Sequence, residues 1–175
     1  EVAINTLLKY KVDVVLWDYI REFNNKSLTK NIYNTNIYFD TQSVKTKLHR
    51  RMIGIYGDEL SHPEKADAIC TIWGKLYKRS CIYDKNIRFF DIREIGSYED
   101  GLFNMQVFEN INSAIYIHKY LYHYRKDNAN SVTKIYRPNL VKQHEKILDI
   151  MDEYINKNNL PMEYKIALSN RTALE

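Results

Sequence analysis

The sequence predicts an α+β domain of short mixed strands packed with helices. Three observations carry that prediction. First, β-branched and aromatic residues are concentrated in short runs, above all Val12 to Ile20, VDVVLWDYI. Second, Pro138 to Lys157 carries an apolar stripe at helical spacing. Leu140, Ile147, Met151 and Ile155 form it, and Leu148 and Tyr154 reinforce it. Third, strands and helices mix between these two segments without the regular βαβ rhythm of a doubly wound sheet. At 175 residues the chain is long enough for one domain with a substantial core.

Taken in order, residues 1–10 read as a helix through Val2, Ile4, Leu7 and Leu8. VDVVLWDYI follows as a largely buried strand, and Asn24 to Ser27 as a turn. Ile32 to Phe39 alternates weakly, as an edge strand would. Thr41 to Met52 is a helix whose Val44, Leu48 and Met52 share one face. Gly54, Gly57 and Pro63 mark a loop. The apolar run within Ala66 to Tyr77 fits either strand or helix. Ile87 to Phe90 suggests a strand, and Ser97 to about Asn110 a helix. Ala114 to Ile117 and Leu121 to Arg125 suggest two further strands. After Pro138–Lys157, Leu160 to Leu168 suggests a last short helix.

Composition excludes several classes. Apolar residues make up 45% and charged residues 27%, an ordinary globular balance. Five glycines and three prolines are too few for long disordered linkers. The apolar runs are too short for a membrane-spanning helix, and no signal peptide is visible. The net charge of +4 is spread out, apart from small clusters at His49–Arg51 and Lys75–Arg79 that could favour anions. There is no continuous basic stripe, so a nucleic-acid partner is not expected. Cys70 and Cys81 lack CxxC or CxxH spacing, which leaves zinc unsupported and points to reduced thiols. The start at Glu1 inside helix-like sequence, and a Leu174–Glu175 end like a tag scar, suggest a piece of a longer protein.

Three stretches could carry chemistry. In GSYEDGLFN, Gly96 to Asn104, Ser97 and Asp100 have capping-box spacing, and Glu99 and Asp100 would meet the positive end of a helix dipole. The same helix start could instead hold a carboxylate at a cleft as a general base for an attacking hydroxyl. In Thr71 to Arg79, Trp73 offers a flat face for a sugar ring or a base, and Lys75 a mobile cation for phosphate. In Leu121 to Arg125, strand alternation puts Tyr122 and Tyr124 on one face and His123 and Arg125 on the other. Arg125 suits a diphosphate, and Asn130 to Thr133 could form a loop closing over a ligand.

The ordered set WGKLYKR, YEDGLFN, LYHYR and NSVT is more specific than any one stretch. Over roughly residues 1–140 it resembles the C-terminal half of bacterial family 2 glycosyltransferases. These are inverting GT-A enzymes that build capsular and other cell-surface polysaccharides. The resemblance implies that residues 1–137 are the acceptor-side part of a GT-A-like domain and 138–175 a helical extension. It implies Asp100 as the catalytic base, with Glu99, Trp73 and Lys75 on the acceptor side. It implies, more weakly, that Arg125, Ser131 and His123 approach the donor diphosphate. Tyr120 stands where many relatives have proline. The parent would use a nucleotide sugar, a saccharide acceptor and Mg²⁺ or Mn²⁺, in the cytoplasm or at the inner face of the membrane. No Asp-x-Asp and no glycine-rich phosphate loop occurs here, so the nucleotide-binding half is missing and the piece is expected to bind no metal and to be inactive alone. A noncatalytic module for self-association or docking is the alternative, and a homodimer or peripheral membrane association stays open.

Overall fold

The computed structural model describes residues 1–126 and 138–174. Helix α1 (Val2–Tyr10) leads into the central strand β1 (Val14–Phe23), which turns back as β2 (Lys26–Lys30). Strand β3 (Ile37–Phe39) precedes a continuous helical stretch. That stretch comprises α2 (Thr41–Ser43), a π-helical turn (Val44–His49) and α3 (Arg50–Ile53). Strand β4 (Lys75–Tyr77), the short helices α4 (Ser80–Tyr83) and α5 (Ile92–Ile95), and helix α6 (Glu99–Glu109) follow. Strand β5 (Ala114–Arg125) and the helices α7 (Leu140–Lys157) and α8 (Met162–Leu174) complete the described chain.

The sheet order is β2-β1-β5-β3. β1 runs parallel to β5 along its length, and β3 is antiparallel to β5. On its other side β1 pairs antiparallel with β4 at Val14–Leu16 and with β2 at Tyr19–Phe23. The sequence explains why these two strands are central. Both begin with an unbroken apolar run, VVLW in β1 and AIYI in β5, that suits burial on two faces. From His118 onward β5 alternates between half-buried and exposed, so its outer half leaves the core.

Helices cover both faces of the inner sheet. Ala3 and Leu7 of α1 pack on Val15, Trp17, Ile115 and Ile117. On the other face Val14, Leu16 and Tyr116 join Leu48, Met52, Leu102, Phe108, Met151 and Ala167 in one large core. Burying a side chain such as Phe108 or Leu102 contributes about 1.5–3 kcal/mol. Because α7 and α8 supply Ile147, Met151, Ile155, Tyr164 and Ala167 to that core, residues 140–174 are structurally continuous with the rest.

Several expectations change. Ile87–Phe90 is not a strand, and the edge strand expected over Ile32–Phe39 is confined to Ile37–Phe39. The two strands expected at 114–117 and 121–125 are one, with a bulge between them. The expected turn at Asn24–Ser27 is tighter, because Lys26 already pairs with Phe23. The last helix extends to Leu174. The basic cluster His49–Arg51 is buried rather than offered to anions. Arg50 makes a bidentate pair with Glu59 at 2.6 and 2.8 Å, and Arg51 donates to the Lys65 carbonyl at 2.7 Å.

Candidate functional site

Helix α6 does not start with the expected capping box. Its N-cap is Tyr98, in the left-handed region at φ 68°, and no side chain caps the first turn. Tyr98 takes this costly conformation because its side chain is tied down. The hydroxyl donates to the Met52 carbonyl at 2.9 Å, accepts from Arg171 at 2.7 Å and lies 3.0 Å from Cys70 Sγ. The ring crosses Gly101, where a Cβ would lie 2.2 Å from the ring carbon Cε1. The glycine of YEDGLFN is therefore there for the tyrosine before it.

Freed from the cap, Asp100 does something else. Its Oδ2 accepts from the backbone N–H of Ile72 at 3.1 Å, tying the helix start to the segment that carries Trp73 and Lys75. Asn104, one turn on and fully buried, strengthens the junction. Its amide donates to the carbonyls of Cys70 at 2.7 Å and Asp100 at 2.8 Å, and its oxygen accepts from Tyr77 at 2.7 Å. Among the described residues no donor reaches the other carboxylate oxygen of Asp100, and Asp100 is only part-buried. One oxygen thus positions the group and one stays available. Glu99 is half-buried beside it.

Lys75 departs from its expected role as a mobile phosphate ligand. It sits in β4 at 7% exposure and donates to the Thr71 carbonyl. Burial pushes its ammonium down to about 8, against the pull of Cys70 and Asp100. It is a structural cation behind Asp100. Trp73 is part-buried and already stacked. It lies near-parallel to Tyr122 (4.6 Å between centroids) and Tyr124 (5.2 Å), with Tyr19 edge-on at 4.6 Å. A ligand would meet this aromatic cluster as a whole rather than a bare indole face.

His123 and Arg125 lie on the face of β5 away from that cluster, as the alternation predicted. His123 Nδ1 is 2.6 Å from Glu22 Oε1, and Arg125 is exposed. Ser131 falls outside the described residues. The Ile72–Asp100 hydrogen bond thus ties the start of α6 to the segment carrying Trp73 and Lys75, the Trp73 ring itself lies against Tyr122 and Tyr124, and His123 and Arg125 lie on the other face of β5.

Sequence reasoning missed a second cluster. Asp18 is fully buried, and its carboxylate accepts from the Ile32 N–H at 2.9 Å and the Tyr116 hydroxyl at 2.5 Å. His118 Nδ1 lies 2.7 Å from the same carboxylate. Burial, then the hydrogen bond to Asp18, pushes the Tyr116 phenol up. The β1–β5 register slips at Asp18, and such bulges re-aim side chains. The available signal was one acid at the end of an otherwise apolar run, a placement that requires partners.

Two cavities open on the helical side. One of about 280 Å³ is bounded by Gly54, Pro63, Asp67 and Arg171, and one of about 420 Å³ by Lys45, Arg50, Tyr56, Leu160 and Tyr164. Neither touches Asp100 or Asp18. The cations named here are engaged internally: Arg171 by Asp67 and Tyr98, Arg50 by Glu59, and Lys45 by the Glu109 carbonyl. No protein-family model matches the sequence, and no curated protein matches it.

Proposed function

We propose that this chain is the acceptor-binding, base-bearing part of an inverting glycosyltransferase of the family 2, GT-A type, acting in surface polysaccharide synthesis. The observation that carries the reading is the hydrogen bond from Ile72 to Asp100. It joins two separately read stretches, IWGKLY and YEDGLFN, at the start of a packed helix, and among the described residues one carboxylate oxygen is left without a donor. A general base needs that combination of fixed position and free lone pair.

In the parent enzyme Asp100 would accept the proton of an acceptor hydroxyl as its oxygen attacks the anomeric carbon of the donor. Glu99 and the Trp73 cluster would line the acceptor side. Among the described residues no three His, Cys, Asp or Glu side chains are grouped to hold a metal ion. On this reading Mg²⁺ or Mn²⁺ in the parent would be held by the nucleotide-binding half. Likewise the nucleotide sugar would bind chiefly outside this chain.

The test is Asp100→Asn in the full-length enzyme. Turnover is expected to fall by about 10²–10⁴-fold with folding intact. Near-normal turnover would reject the assignment. One observation favours the alternative docking module: α1 exposes Ile4 and Leu8 at 54% and 65%. Charged substitutions at both positions that abolish a measured self-association, without affecting turnover, would assign that face to docking.

A further inference from the structure

We propose that His118, with Asn31 and Asn36, forms a second hydroxyl-binding subsite for a neutral saccharide, built on the buried Asp18. The proposal rests on the saccharide reading above for its ligand class alone; the site itself stands on geometry. The Asp18 carboxylate, at 0% exposure, meets three partners: the Ile32 N–H, the Tyr116 hydroxyl and His118 Nδ1. In the neutral ring a carboxylate on Nδ1 fixes the proton there, and Nε2 is then the acceptor. The His118 side chain is 34% exposed, and no described residue donates to Nε2.

Two amides bond to the same stretch of β5. Asn36 Oδ1 accepts from the His118 backbone N–H at 2.8 Å, and Asn31 Oδ1 accepts from the Tyr120 hydroxyl at 2.9 Å. Both amides have their oxygens used locally, so their exposed NH₂ groups remain as donors. The Tyr120 ring stands 5.9 Å from the imidazole and adds an apolar edge. Asp18 also fastens the loop between β2 and β3 through Ile32, and Tyr116 reaches the Tyr33 carbonyl at 2.8 Å. The subsite is therefore carried by the two central strands of the sheet.

The donor and acceptor pattern selects the ligand. An imidazole and two amide NH₂ donors along the same stretch of β5 suit the hydroxyls of a sugar, which both donate and accept. The charge fixed beneath the imidazole is a carboxylate, which disfavours phosphate. A single imidazole without two further ligands disfavours a metal ion. No covalent step is involved: a ligand hydroxyl donates to Nε2 and accepts from an amide.

The experiment is long-range ¹H–¹⁵N NMR on the 175-residue chain. The separate probes are the methyl glycosides of glucose, galactose and N-acetylglucosamine, inorganic phosphate, and Zn²⁺. The proposal predicts His118 in the Nδ1–H tautomer. It also predicts saturable shifts of His118 Nε2 and of the Asn31 and Asn36 amides with at least one glycoside. His118→Ala, at a part-exposed position, should retain the fold and weaken that glycoside roughly five- to tenfold. An Nε2–H tautomer, no saturable shift with any glycoside, or a stronger response to phosphate or Zn²⁺ would overturn it. Failure here alongside lost turnover on Asp100→Asn discards this subsite and keeps the base. The opposite pair of results keeps the subsite and discards the base.

Discussion

Two residues, His49 and Asn104, show how buried polar groups specify this structure. His49 is fully buried, with Nε2 2.9 Å from the Tyr154 hydroxyl and Nδ1 2.9 Å from that of Tyr164. The Tyr154 hydroxyl donates onward to Glu109 at 2.8 Å, so the neutral ring links α7 and α8 to the π-helical turn. Burial pushes its pKa down to about 3 from an ordinary 6.5. Between those values the unfolded chain binds the proton and the folded chain does not. Stability should therefore rise with pH through this window, and fall as pH drops from about 6.5 towards 3, by up to about 1.4 kcal/mol per pH unit. Urea unfolding at pH 7 and pH 5 measures this, and His49→Gln should flatten the slope. Asn104 gives a second expectation. Asn104→Leu removes both the acceptor of Tyr77 and the donor to two carbonyls, and should destabilise by about 1–3 kcal/mol for each buried group left unpaired. An unchanged denaturant midpoint would contradict that role.

Among the elements, α6 is the most informative. The helix was legible from its apolar content, but its first turn was not. Ser97 and Asp100 have the spacing of a cap, and spacing cannot reveal that Ile72, a distant residue, offers the N–H that Asp100 takes. The same limit hid the Asp18–His118 pair, whose partners are a hundred residues apart in sequence. Periodicity did find β1, the long helical stretch after Asp40, and α7, because their apolar faces are continuous. It failed at Ile87–Phe90, where a short apolar run without a pairing partner reads like a strand. Gly101 offers the sharpest test at this scale. Gly101→Ala places a methyl 2.2 Å from the Tyr98 ring, which Met52, Cys70 and Arg171 hold in place. The variant should lose about 1–3 kcal/mol, read as a lower Tm, whereas an ordinary helix-interior Gly→Ala would gain stability.

At the scale of the whole molecule, one core joins the sheet, α6 and the two C-terminal helices. A chain ending at residue 137 should therefore lose cooperative unfolding, because Met52, Ile53 and Phe108 would lose the cover of Met151, Tyr164 and Ala167. Arg171 adds to the coupling, since it donates from α8 to the Ile53 carbonyl at 2.5 Å and to Asp67 at 2.7 Å. This rigid body is what would let a carboxylate at the start of α6 hold its position while an acceptor sugar comes and goes. The comparison of Asp100→Asn with Glu99→Gln in the full-length enzyme tests that claim most directly. Asp100→Asn should lower kcat by about 10²–10⁴-fold, with KM for the acceptor changed little. Glu99→Gln, which touches only the neighbouring carboxylate, should cost less than about tenfold. Equal losses from the two variants, or normal kcat in Asp100→Asn, would contradict a catalytic base at this position.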